Sequence, residues 1–260
     1  MAKISILGCG WLGLPLARSL VKNNWQVKGS TTSADKLGDL GNQGIEPFLI
    51  LLSENEIHGD IGGFLSESEI LIIDIPPKSG NFPAKIENLI RAIDESAIKK
   101  VIFVSSISVY GQTGPITGST IPIPTSQNGR QLAEAENLFS RRNFAVTILR
   151  FGGLVGNDRH PVKHLAGRQN LPNPDAPVNL IHLNDCIGII ASVISKDIWN
   201  ETLNAVAPFH PSRKTFYTDK AAQFGLPLPA FDDSSLSPGK TVDSQKLVAL
   251  LNYSFSDDLK

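Results

Sequence analysis

A cluster of glycines near the start, Gly8-Cys9-Gly10-Trp11-Leu12-Gly13, sets the narrowest limits on what this chain can fold into. It follows directly on Lys3–Leu7, a short apolar run that predicts a strand. It opens into Leu12–Val21, whose apolar spacing predicts a helix. Strand, glycine turn and helix in that order read as the first unit of a parallel α/β sheet. Gly8 permits the tight turn, Gly10 lets a ligand approach the backbone with no Cβ in the way, and Gly13 lets helix and strand pack closely. The helix start presents N–H groups without intrahelical partners and a partial positive charge, which is the electrostatics of a diphosphate site. The loop therefore predicts a bound dinucleotide held at Gly8, Gly10, Trp11, Leu12 and Gly13.

The rest of the chain repeats the alternation. Strands are predicted at Trp25–Gly29, Ile45–Leu51 (weakened by Pro47), Glu69–Asp74, Val101–Ser105, Ala145–Arg150 and Thr202–Val206. Helices are predicted at Ile86–Ile98, Gln131–Phe139, Ile187–Ile194 and Lys214–Phe224. This order predicts an α/β protein with a Rossmann-type, doubly wound, mostly parallel sheet. Residues 1–150 are expected to form the coenzyme-binding core. Prolines and glycines crowd the chain after Phe151, so residues 151–260 are expected to form a small substrate lobe interleaved with that core.

Charge and composition exclude several classes. A formal net charge of −1 leaves no broad basic face for nucleic acid or acidic membranes. Apolar runs such as Ile70–Ile73 are far too short to span a bilayer. The opening residues enter a strand at once, without the apolar stretch of an export signal, so a cytoplasmic location is expected. Cys9 and Cys186 show no metal-ligand spacing and read as unpaired thiols. Cys9 lies beside a helix start that would lower a thiol pKa, although a small buried filler is the commoner role. No metal site is expected.

The second strand should end beside the adenosine ribose, where an acidic residue favours NAD. Here the segment reads Lys28-Gly29-Ser30-Thr31-Thr32-Ser33, with no carboxylate before Asp35. Hydroxyls of Ser30, Thr31 and Thr32 suit a 2′-phosphate, with charge from Lys28 or Lys36, which predicts NADP over NAD. The same hydroxyls also suit the cap of a following helix.

Three further segments occur in order: Phe103-Val104-Ser105-Ser106-Ile107-Ser108-Val109-Tyr110-Gly111, Ile148-Leu149-Arg150-Phe151-Gly152-Gly153, and Val178-Asn179-Leu180-Ile181-His182-Leu183-Asn184-Asp185. With the glycine loop and Ile75-Pro76-Pro77 they resemble the atypical and extended short-chain dehydrogenase/reductase superfamily, in its NAD-dependent epimerase/dehydratase group. The likeness is nearest to a bacterial branch described as predicted nucleoside-diphosphate-sugar epimerases. The resemblance implies an oxidoreductase or epimerase, with Ser106 orienting the substrate oxygen. It implies that Ile75, Pro76, Ser105 and Phe151 lie along the coenzyme, and that Asn179, His182 and Asp185 are mainly structural. It also implies dimerisation through helices beside the Ser loop.

The chain departs from the family at the proton donor, a tyrosine with a lysine four residues on. By alignment Asn128 stands at the tyrosine and Leu132 at the lysine, and no Tyr-x-x-x-Lys exists anywhere in the sequence. An amide does not titrate and leucine does not hydrogen-bond. Tyr110, His160 and His164 are candidate replacement acids. Asn128 and the basic cluster of Arg159, His160 and Arg168 are candidates for a small, anionic substrate, since arginine forks suit phosphate or carboxylate. A non-catalytic dinucleotide-binding sensor is the alternative that the missing pair leaves open.

Overall fold

The computed structural model describes residues 3–77, 80–140, 142–156, 158–236 and 238–259. Its core is a seven-stranded sheet of β1 (Lys3–Leu7), β2 (Gln26–Thr31), β3 (Ile45–Leu49), β4 (Ser68–Ile73), β5 (Lys100–Ser106), β6 (Ala145–Phe151) and β7 (Thr202–Ala205). The strands lie in the order β3-β2-β1-β4-β5-β6-β7, and every pair is parallel. That is the doubly wound arrangement, in which chain direction reverses across the sheet between β1 and β4. Pro47 is tolerated because β3 is an edge strand bonded only to β2.

Burial on both faces explains why the strands read as unbroken apolar runs. Along β4, Ile70 and Ile72 enter one core cluster while Leu71 and Ile73 enter the other. The first cluster is covered by α1 (Gly13–Lys22), α4 (Leu183–Ser195) and α6 (Gln245–Leu251). The second is covered by α2 (Phe82–Asp94) and α3 (Gln127–Leu138). A third cluster, including Val155, Val162, Val178 and Phe216, gathers the segments after β6 around α5 (Arg213–Gln223).

Helix starts differ from those expected because capping side chains set them. Asn81 accepts from Ala84 N, so α2 begins at Phe82 rather than Ile86. Ser126 accepts from Gly129 N and starts α3 at Gln127, ahead of the apolar face. His182 Nδ1 accepts from Asn184 N at the head of α4. Asn179 likewise serves the backbone, donating to Lys240 O and accepting from Val242 N.

A polar network ties three strands to α3. Ser105 Oγ donates to Glu136 Oε1 at 2.5 Å, and the Arg150 guanidinium pairs with Glu136 at 2.5 Å. Arg150 Nη1 donates to the Tyr110 hydroxyl at 2.6 Å, which donates in turn to Asn204 Oδ1 at 2.8 Å. Tyr110, expected as a candidate acid, is 1% exposed and its hydroxyl is committed to this network. Glu136→Ala would leave a buried guanidinium without its counter-charge, at an expected cost of roughly 3–5 kcal/mol. Urea unfolding measures this, and a loss well below that range would mean the pair is dispensable.

Candidate functional site

The glycine loop lies at the carboxyl end of β1, where the sheet order reverses and a crevice opens. Gly8 has φ +103°, and a Cβ there would stand 2.3 Å from Asp74 O. A Cβ on Gly13 would stand 2.1 Å from Gly8 O. These two glycines are therefore dictated by backbone crowding. Gly10 is different, because a Cβ there would meet nothing within 4 Å and would project into open space. Gly8 N donates to Ser30 Oγ at 2.9 Å and Cys9 N to Ser30 O at 2.7 Å, which pins the loop to β2. Helix α1 is capped by Leu12, which has no side-chain oxygen to satisfy the first amides.

Two cavities meet along this loop. One, about 470 Å³, runs from Gly8 and Gly10 past Ser30, Thr31, Thr32 and Lys36. The other, about 500 Å³, runs from Gly10, Trp11 and Leu12 to Ser105, Ser106, Leu132 and Arg159. Gly10, Asp74, Ile75 and Pro76 line both. Their shared lining, the open Cβ direction at Gly10 and the uncapped helix start fit a dinucleotide laid across the loop.

The chain matches the family described as NAD(P)H-binding over residues 8–179. It belongs to that family. Across 264 aligned residues it is 34% identical to Protein YeeZ of Escherichia coli (strain K12), covering 98% of this chain and 96% of that protein. Among solved structures it is similar to a UDP-glucuronic acid 4-epimerase from Bacillus cereus in complex with NAD. That likeness has a TM-score of 0.81 and 20% identity over 99% of this chain and 93% of that one. It is also similar to a conserved protein of unknown function from Silicibacter pomeroyi DSS, at TM-score 0.79 and 22% identity over 98% and 94% of the two chains. The resemblance to the epimerase/dehydratase group of the short-chain superfamily thus agrees with the family match and with the shared fold.

Within this NAD(P)H-binding fold, most of the residues expected at the coenzyme line the joined cavities: Gly8, Gly10, Trp11, Leu12, Ser30, Thr31, Thr32, Ile75, Pro76 and Ser105. Gly13 lies just behind them, at the head of α1. Phe151 does not line either cavity. It is core, paired in register with Ser106, and Leu154 three residues on reaches the cavity instead. Lys28 cannot reach a 2′-phosphate, since it is 3% exposed and donates to Gly63 O at 2.6 Å and to Ser66 O at 2.8 Å.

Ser106 opens into the second cavity, and its Oγ accepts from Ser108 N at 3.1 Å, which leaves the hydroxyl proton free to donate. Arg159 lies 5.1 Å over the Trp11 ring, and Trp11 Nε1 donates to Asp158 Oδ1 at 2.9 Å. Gly156 leaves room for that indole, because a Cβ there would come within 2.7 Å of it. Arg159 thus arrives at the cavity as expected, but the rest of its cluster does not. His160 is buried, stacks on Phe216 and accepts from Val162 N at 3.2 Å; burial pushes its pKa down to about 4. Arg168 and His164 are exposed and line neither cavity. Asn128 is exposed in the first turn of α3, and Leu132, one turn on, forms the cavity wall. Cys9 is a buried filler, its thiol pushed up to about 12 by burial, so the helix start does not activate it.

Asp74 was not foreseen. It follows β4 directly, with Oδ2 3.2 Å from where a Cβ on Gly13 would stand. Burial pushes its carboxyl up to about 7, against the pull of the Gly13 N–H. An Asp closing a buried strand at the crevice end of a parallel sheet was the available signal. Its pKa lies above that of an unfolded Asp, so the unfolded chain loses its proton first. Stability is therefore given up as pH rises from about 4 to about 7, with no further change above. Asp74→Asn is expected to raise the melting temperature at pH 8, a gain that fades towards pH 4. An equal gain at both pH values, measured by thermal unfolding, would contradict this.

Proposed function

We propose that this chain is an NAD(P)-dependent oxidoreductase or epimerase of the atypical short-chain class, with NADP preferred and a small anionic substrate. A nucleotide sugar is one such substrate. The observation that carries the reading is the continuity of the two cavities through Gly10, Asp74, Ile75 and Pro76. It joins an adenosine half rich in hydroxyls to a half containing Ser106 and Arg159. The preference for NADP rests on Thr31, Thr32, Ser33 and Lys36 lining the first half, with Asp35 exposed outside it; Ser30 is buried and its hydroxyl holds the Gly8 amide.

The amides at the head of α1 would hold the diphosphate, and Ile75 and Pro76 would lie along the coenzyme. The bound nicotinamide supplies or accepts hydride. The Ser106 hydroxyl would donate a hydrogen bond to the substrate oxygen and fix its orientation. Arg159, braced on Trp11, pairs with an anionic group of the substrate. Val104, Leu132 and Leu154 give the cavity an apolar wall that keeps water away.

A second reading has its own support. Among the described residues lining the second cavity there is neither tyrosine nor lysine, and Leu132, which the sequence alignment sets at the lysine position of the resembled group, is one of them. General acid–base help is worth about 10²–10⁴-fold, so a chain without it suits a dinucleotide-binding sensor as well as a slow enzyme.

Mixing the protein with NADPH and a panel of carbonyl substrates, nucleotide sugars included, separates the two. Turnover that falls about 10²-fold or more in Ser106→Ala supports the enzyme. Tight binding without turnover across the panel supports the sensor. Gly10→Val is expected to weaken coenzyme binding by at least about tenfold, equivalent to about 1.4 kcal/mol, with an unchanged melting temperature. Unaltered binding in that variant would remove the glycine loop from the account.

A further inference from the structure

We propose that Asp74 makes coenzyme binding proton-linked, so that the cleft takes up to one proton at this carboxyl for each diphosphate it receives. The inference rests on the coenzyme reading above. Its ground is position: Asp74 lines both halves of the cleft and lies against the amino end of α1, where the diphosphate would be held. The helix offers no capping side chain of its own, since its N-cap is Leu12, and the Asp74 carboxyl stands beside Gly13 instead. A carboxylate there competes with the diphosphate for the same partial positive charge and repels it across a low-dielectric cleft. A carboxylic acid does neither, and can donate a hydrogen bond to a phosphate oxygen.

The groups facing Asp74 do not take over this titration. Cys9 from the glycine loop and Cys186 from α4 both feel its charge, and burial keeps both thiols protonated at neutral pH. Arg159 lines the second cavity, and Lys36 and Lys85 the first; all three are cations that favour the diphosphate. Burial already pushes the Asp74 carboxyl up to about 7, so in the free cleft it is largely ionised above neutral pH and takes up a proton as a neighbouring diphosphate raises it further.

Calorimetric titration with NADPH between pH 7.5 and 9, in buffers of different ionisation enthalpy, tests this. Above pH 7.5 the 2′-phosphate, with a pKa of about 6, is fully ionised and contributes no proton. NADH titrated in parallel removes that group altogether. The wild type should take up a measurable fraction of a proton, at most one, and its Kd should weaken with pH by a matching slope of at most about tenfold per pH unit. Asp74→Asn should bind with a flat Kd and no proton uptake, and more tightly than wild type at pH 8. Asp74→Ser serves as a second variant, with melting temperature as the check on folding for both. A flat wild-type Kd with no proton exchange overturns the inference while leaving coenzyme binding intact, as does a slope that survives in both variants. Absence of binding by either coenzyme at every pH overturns the coenzyme reading itself.

Discussion

The structure depends on one close approach of backbone to backbone. At the carboxyl ends of β1 and β4 the chain turns so tightly that a methyl group at Gly8 would press on the Asp74 carbonyl, and one at Gly13 on that of Gly8. No side chain other than hydrogen allows this packing. It draws the head of α1 down onto the sheet at the place where the strand order reverses, so the crevice and the positive end of the helix dipole coincide. Gly10 has no such packing duty, and its Cβ position faces open space in the cleft.

Much of this was legible in the sequence, and the parts that were not share a cause. The strands were visible because both their faces are buried and their apolar runs are unbroken, and the glycine loop because its spacing has few other uses. Helix starts were misplaced by a few residues, since Asn81 and Ser126 cap from outside the apolar periodicity. The side chains misassigned to the site failed for a different reason. Tyr110, His160 and Lys28 each lie near the expected cleft in sequence, but each is captured by partners distant along the chain: Asn204 for the tyrosine, Phe216 for the histidine, Gly63 and Ser66 for the lysine. Partners far away in sequence leave no local pattern. Asp74 is hidden in the sequence for the converse reason. A single acid after an apolar run looks like a strand end, and its chemistry arises only where β4 meets α1.

The absence of the tyrosine and lysine that the sequence resemblance implies takes structural form in Leu132, which lies in the cavity wall. Helix α3 reaches the cleft through Leu132, an apolar side chain. The polar investment lies one turn further along, at Glu136, and it is spent on joining α3 to Arg150 and Ser105 rather than on substrate. Among the described residues lining the second half of the cleft, the polar side chains besides Trp11 are Ser106, Arg159, Asp74 and Ser105, whose hydroxyl is given to Glu136, which limits the proton transfers they can assist.

The sheet is finished from the far end of the polypeptide. β7 is the seventh strand, covers the flank of β6, and supplies the asparagine that closes the Arg150–Tyr110 network, while α6 seals the face shared with α1. Both follow the segment, residues 8–179, by which the family is recognised. A chain cut after residue 179 would therefore keep its glycine loop and yet leave the flank of β6 unpaired and the α1 face of the core without Leu247 and Leu251.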